Sequence, residues 1–153
     1  MNDLVKRSGA GALFTDDQGN ILIVKPTYKD GWLFPGGIIE SNETPSEACR
    51  REVKEELGLD RGVEKLLCVD YGKQDNETVT YLFRGGQLSQ EEIERISLPS
   101  AELSEFIFVS EKVATELLRP KGARRLSACI EALRNGETIY LENGLKLELG
   151  NNL

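Results

Sequence analysis

The chain predicts an α/β fold of the α+β sandwich kind, and three observations lead there. Short apolar runs of strand length recur from one end to the other. Two segments, residues 45–57 and 123–135, carry apolar residues at helical spacing with capping residues around them. Clusters of Gly, Asn, Asp and Pro separate these pieces without any long linker, repeat or low-complexity tract. Strands mixed with helices pack as layers around one core. At 153 residues the chain predicts one domain, 1–153, that removes roughly two-thirds of its unfolded surface from water.

Residues 5–14 read as a strand, the cluster Asp16-Asp17-Gln18-Gly19-Asn20 as a turn, and residues 21–24 as a second strand closing a hairpin. Trp32-Leu33-Phe34 is a short apolar piece that ends at Pro35-Gly36-Gly37, read as a tight turn, with Ile38-Ile39 extended after it. Thr44-Pro45-Ser46-Glu47 has the pattern of a capping box, with Thr44 as N-cap and Pro45 at the first helical position. That helix runs to Leu57 and stops at Gly58, with Cys49, Val53 and Leu57 as its buried stripe. Residues 63–71 and 78–84 are strands around a polar loop, and residues 88–103 carry no clear pattern. A strand over 106–109, a short helix over 111–118 and a longer helix over 123–135 follow, the last with Leu126, Cys129, Ile130 and Leu133 on one face and Gly136 closing it. Residues 138–149 form a terminal hairpin around Asn143-Gly144.

Composition excludes several chemistries. The chain has no histidine, which removes Ser-His-Asp and Cys-His catalysis and imidazole-based zinc sites. Acid–base work falls to carboxylates, lysine, tyrosine or metal-bound water. Cys49, Cys68 and Cys129 have neither redox nor metal-ligand spacing and read as reduced, buried thiols. A net charge of −7 argues against nucleic acid as a partner. The longest aliphatic run, Ile21-Leu22-Ile23-Val24, is too short to cross a membrane, and the first residues lack the apolar stretch of a secretory signal, so a cytoplasmic location is expected.

Glu52, Glu55 and Glu56 stand at i, i+3 and i+4 on the first predicted helix. At about 100° per residue they share one side. Like charges so placed destabilise a helix by a few tenths of a kcal/mol per pair. A hard divalent cation relieves that repulsion and leaves positions open for phosphate oxygens. By themselves these three glutamates read more readily as a solvated acidic face than as a metal site. Their setting is more specific. Gly37 is followed by five residues, Glu43, seven residues, and then Arg51-Glu52-Val53-Lys54-Glu55-Glu56-Leu57-Gly58-Leu59. A chance match to seven fixed residues is rarer than about one in ten million per register.

This run over residues 37–59 resembles the signature box of the Nudix hydrolase family at every defined position, and Trp32-Leu33-Phe34-Pro35-Gly36 is similar to the family's approach to it. The resemblance implies a Nudix fold, with a mixed β-sheet between helices, over residues 5–134. The C-terminal hairpin is an addition. It also implies a Mg²⁺- or Mn²⁺-dependent hydrolase of phosphoanhydride bonds. The metal ligands would be Glu52, Glu55 and Glu56 with the Gly37 carbonyl, and Glu40 is a further candidate. The same three glutamates carry catalysis, and a carboxylate beyond the box takes the proton of the attacking water. The candidates are Glu105 first, then Glu102, and Glu91, Glu92 or Glu94. Arg51 and Glu43 are candidates for the substrate side of the box, with Arg51 more suited to an internal ion pair that positions a glutamate and Glu43 to a place near the metals or to orienting the box. Tyr28 and Trp32 are candidates for stacking on a base, and Lys25 and Lys29 for phosphates. Gly9-Ala10-Gly11 either admits a ligand or relieves crowding.

The expected substrate is a small nucleoside diphosphate linked to another moiety, either a nucleoside triphosphate or a nucleotide sugar. The proline that marks ADP-ribose hydrolases is not found near Gln74 and Asp75. The alternative is a nucleotide-sensing module without hydrolysis, although such modules commonly lose box glutamates that are all present here. Prenyl diphosphate isomerisation and RNA decapping are disfavoured, the latter by charge. The terminal hairpin either packs on its own domain or exchanges with a second copy, which leaves a homodimer open.

Overall fold

Strand β1 (Ser8–Thr15) and strand β2 (Ile21–Pro26) begin as the expected hairpin and then part. Their turn is held by Asp16, whose Oδ1 accepts the N–H groups of Gln18 and Asn20 at 2.9 and 2.8 Å. Only Thr15 and Ile21 pair directly. Beyond that point residues 33–38 enter the fork. Leu33 exchanges two backbone bonds of 2.8 Å with Val24, and Ala12 N–H donates to the Pro35 carbonyl at 2.9 Å. Strand β3 (Gly36–Ile38) then pairs antiparallel with residues 9–11 of β1. The Pro35-Gly36-Gly37 segment is thus the entry to a strand, where the sequence suggested a tight turn. Crowding explains the glycines. A Cβ on Gly11 would lie 2.8 Å from the Pro35 oxygen and 3.1 Å from Leu82 Cδ2, so Gly11 is required by the backbone packed on it.

A computed structural model describes residues 6–74 and 78–147, which form eight strands and four helices. The remaining strands are β4 (Lys65–Tyr71), β5 (Val79–Gln87), β6 (Leu103–Val109), β7 (Ile139–Glu142) and β8 (Leu145–Lys146). The sheet order is β6-β2-β1-β5-β4-β7-β8, with β3 branching from β1. The β1–β5 and β4–β7 pairs are parallel and the others antiparallel, so the sheet is mixed.

Helix α1 (Pro45–Leu57) has the predicted ends. Thr44 accepts the Glu47 N–H, and Gly58 adopts φ 72° while its N–H closes on Lys54. Helix α2 (Gln90–Glu94) lies in the stretch that showed no pattern. Ser89 and Glu92 form a reciprocal capping box there, a Ser-x-x-Glu signal visible in the sequence. Helix α3 (Glu111–Leu117) precedes α4 (Pro120–Asn135), which starts at a proline in its first turn, three residues before the predicted start.

Two apolar clusters fill the two faces of the sheet. Ala10, Ala12, Phe14, Leu22 and Val24 pack with Cys49, Val53 and Leu57 of α1. Leu13, Ile21, Ile23, Leu67 and Leu82 pack with Ala114 of α3 and with Leu126 and Cys129 of α4. Fully burying one such leucine or valine contributes about 1.5–3 kcal/mol. All three cysteines are free and buried, with Cys68 Sγ 3.7 Å from Cys129 Sγ. The C-terminal hairpin turns at Asn143 (φ 53°) and Gly144 (φ 77°) and extends the chain's own sheet through β4. Residues 148 and 149 of the expected hairpin lie outside the described residues. Among the described residues no helix is long and apolar enough to cross a membrane.

Replacing Gly11 by alanine is expected to cost about 1–3 kcal/mol, because backbone blocks the added methyl group. Gly62→Ala, with nothing within 4 Å of the added carbon, is the control. It should stay within about 0.5 kcal/mol of the parent. Urea midpoints measure both, and equal midpoints would refute the crowding argument.

Candidate active site

The box glutamates are placed by α1, β3 and one arginine. Arg51 Nε and Nη2 grip the two oxygens of Glu43 at 2.7 and 3.0 Å. Its Nη2 also donates to the Ile38 carbonyl at 3.0 Å, and its Nη1 donates to Glu52 at 2.9 Å and to Glu55 at 3.3 Å. Glu40 stands 3.8 Å from the same guanidinium. One side chain thus ties the loop before α1, the end of β3 and two glutamates of α1. Arg51 and Glu43, expected on the substrate side, are committed to each other. The Arg51 pairing holds the Glu43 carboxyl below the usual carboxylate range.

Gly37 is explained by the same geometry. A Cβ there would stand within 2.5 Å of Glu52 Oε1. The carboxylate of Glu52 therefore occupies the space that any other residue would fill. Glu56 is only 9% exposed. Its Oε2 accepts the Gly36 N–H at 3.0 Å, and its Oε1 has no hydrogen-bond partner among the described residues. Burial pushes the Glu56 carboxyl up to about 8 against the pull of Gly36, and repulsion from Glu52, Glu102 and Glu55 adds to it. Glu52 is raised chiefly by burial, against the pull of Arg51.

The donor set suits a hard cation. Glu52, Glu55 and Glu56 present carboxylate oxygens on one side of α1, and Glu56 is held nearly buried beside other acids. Among the described residues no three acidic or thiol side chains, Glu52, Glu55 and Glu56 included, converge as a ready-made metal-holding group. Magnesium does not need one, since it binds through one or two carboxylates and keeps waters or phosphate oxygens elsewhere.

The base candidates separate in space. Glu102 adds repulsion at both Glu52 and Glu56, so its charge is felt at the patch. Its position is anchored by Thr27 N–H, which donates to the Glu102 carbonyl at 2.9 Å. Glu105 lies directly across the β2–β6 ladder from Lys25. Two-residue alternation sets it with Ile107 and Val109, which pack on the α3–α4 side. Glu92 is taken up by the α2 capping box and by Arg61.

A cavity of about 390 Å³ adjoins the patch. Gly36, Gly37 and Ile38 belong to its wall, so β3 is common to the cavity and to the carboxylates. Trp32, Phe34, Leu82 and Leu118 supply apolar surface, with Lys29, Arg119, Lys121 and Arg125 around them. Arg119 Nη2 is tied to the Asp30 carbonyl. Of the expected substrate residues, Trp32 lines this cavity, while the Lys25 ammonium lies 5.9 Å from the Trp32 ring centre. Tyr28 is 72% exposed and lines a neighbouring recess with Lys25. Gly9 and Gly11 form part of the cavity wall. Lys29 comes from the loop after β2, Arg119 is the N-cap residue of α4, and Lys121 and Arg125 lie within α4, so three of the four cations belong to one helix start that the sequence reading did not single out.

The NUDIX domain model matches residues 5–131. An RNA pyrophosphohydrolase of Pseudomonas putida is 43% identical over 63 residues, which are 40% of this chain and 40% of that protein. The crystal structure of a MutT protein from Methanosarcina mazei Go1 covers 90% of this chain and all of its own at a TM-score of 0.71 and 19% identity. An ADP-ribose pyrophosphatase structure from Streptococcus suis 89-1591 covers 90% of this chain and 99% of its own at 0.67 and 20% identity. At such identities the two structures share the fold.

The raised Glu56 carboxyl makes stability depend on pH. Without a divalent cation the folded chain keeps a proton on Glu56 that the unfolded chain releases above about pH 4.5. The folded state then binds more protons between about pH 4.5 and 8, and stability falls as pH rises through that window. Glu43 and Asp60, each held low by an arginine, titrate below it. In chelator the loss is expected to be on the order of 2 kcal/mol by denaturant titration. Glu56→Gln should reduce the slope and leave the smaller one that Glu52, also raised by burial, contributes, and a flat wild-type profile would contradict the assignment.

Proposed function

This chain belongs to the Nudix family, and on that footing we propose that it hydrolyses a phosphoanhydride bond in a small nucleoside diphosphate derivative. The observation that carries the reading is the complete glutamate patch, which Arg51 and β3 hold beside a cavity of ligand size. Glu52, Glu55 and Glu56 would hold Mg²⁺ or Mn²⁺, with the Gly37 carbonyl as a further oxygen. The bound cation would neutralise diphosphate charge and lower the pKa of the attacking water.

The protein's own groups do the remaining work. Arg51 fixes Glu52 and Glu55 in register on α1. Gly36 N–H holds one oxygen of Glu56 and leaves the other directed to the reaction. Glu102, beyond the metal ligands but within reach of their field, takes the proton as water attacks phosphorus and the bridging P–O bond breaks. Glu105 is the less suitable base because, unlike that of Glu102, its charge is not among those that raise the Glu52 and Glu56 carboxyls. The cavity beside β3 receives the rest of the substrate, with the Trp32 ring available for stacking.

A second reading is favoured by the likeness to the Pseudomonas putida RNA pyrophosphohydrolase. The same patch would then act on the 5′-triphosphate of an RNA end. The net charge of −7 limits contact with an RNA backbone, so the small-molecule substrate is the first reading.

With Mg²⁺, a panel of nucleoside triphosphates, nucleotide sugars and a 5′-triphosphorylated oligonucleotide should yield turnover of at least one diphosphate. Glu56→Gln should lower kcat by at least about a hundredfold. Glu102→Gln should lower it about a hundredfold while Mg²⁺ affinity persists, and Glu105→Gln should stay within about twofold. No turnover by the wild type, or an unchanged rate in Glu56→Gln, would end the hydrolase reading.

A further inference from the structure

The wall of the cavity beside β3 carries four cations, Lys29, Arg119, Lys121 and Arg125, and among the described residues no carboxylate or carboxamide lines it. The chain as a whole has 26 acidic and 19 basic side chains. The side-chain acceptors in the wall are Thr78 and Thr80, whose hydroxyls lie 3.0 Å apart and bond to each other. Phosphate oxygens accept hydrogen bonds, whereas sugar hydroxyls must also place their own protons. A wall rich in donors and poor in acceptors therefore suits phosphate better than sugar.

Arg125 is the cation whose aim is set in advance. Its Nε donates to Asp70 Oδ2 at 2.6 Å, and Asp70 is fully buried. The other Asp70 oxygen accepts the Gly144 N–H at 2.8 Å, at the turn of the β7–β8 hairpin. That turn is itself anchored, since Asn143 N–H donates to the Tyr71 carbonyl and Asn143 Oδ1 accepts the Lys73 N–H, both at 2.9 Å. Neither terminal nitrogen of Arg125 has a hydrogen-bond partner among the described residues. A guanidinium clamped at Nε has lost much of its freedom before a ligand arrives, and its remaining fork matches a phosphate.

We propose that this cavity takes the phosphate that a nucleoside triphosphate carries where a nucleotide sugar carries its sugar. Arg125 is the specificity-determining residue, and Asp70, clamped by the hairpin turn, is its positioning residue. The proposal deepens the hydrolase reading and rests on it for the bond that is cut, but the binding preference is measurable without catalysis.

Trp32 is the sole tryptophan and lines the cavity, so its fluorescence reports occupancy. Wild type, Arg125→Gln, Arg125→Lys and Asp70→Asn are titrated with UTP and UDP-glucose in chelator. Arg125→Gln is expected to weaken UTP about tenfold and UDP-glucose less than threefold. Arg125→Lys should not restore the loss, because a lysine cannot hold Asp70 and fork onto phosphate together. Asp70→Asn separates clamp from charge. A clamp predicts weaker UTP binding, whereas simple removal of a negative charge predicts tighter binding. Equal losses for both ligands in Arg125→Gln, or tighter UTP binding in Asp70→Asn, would overturn the proposal. Should Asp70→Asn fail to fold, the two Arg125 variants still decide the specificity claim. With Mg²⁺, wild-type turnover of neither nucleotide would count against the hydrolase reading and leave the binding result standing.

Discussion

The contact between Arg51 and four carboxylates is the interaction on which the rest of the site depends. Glu40, Glu43, Glu52 and Glu55 all lie within 3.8 Å of one guanidinium. Without it, a short stretch of α1 and its preceding loop would hold four like charges together. With it, the loop, the end of β3 and the helix become one unit. The arrangement is partly exposed, so its worth lies more in fixing geometry than in net stability.

That unit sits where the sheet opens. The β1–β2 hairpin splays, and residues 33–38 fill the fork so that Gly36 and Gly37 pass close to α1. Gly36 N–H meets Glu56 and the missing Cβ of Gly37 leaves room for Glu52. The same three-residue strand forms the wall of the cavity. The glutamate patch and the cavity therefore share a boundary, and a displacement of β3 would disturb both.

The C-terminal hairpin lies outside the box and outside the residues matched by the family model. It still reaches the site through Gly144, Asp70 and Arg125. An addition to one edge of the sheet can thus set a side chain in the cavity without entering it. Buried Asp70 is acceptable there because both of its oxygens are engaged, one by a charged partner.

Local chemistry was legible in the sequence wherever local chemistry decides. Thr44, Pro45 and Gly58 marked α1 to the residue, because caps act within one turn. The box identified the glutamates, since i, i+3 and i+4 spacing on a helix needs no tertiary partner. The Ser89–Glu92 box was equally local and was obscured by the acidic residues around it. The entry of β3 into the β1–β2 fork was not legible, because its partners lie more than twenty residues away and glycines there resemble a turn. The repulsion that Glu102 exerts on Glu52 and Glu56, and the bonds that join Asp70 to Arg125 and Gly144, came from the tertiary structure alone. Those contacts join residues separated by up to 74 positions, and no periodicity or spacing encodes which distant side chains a sheet and its helices will bring together.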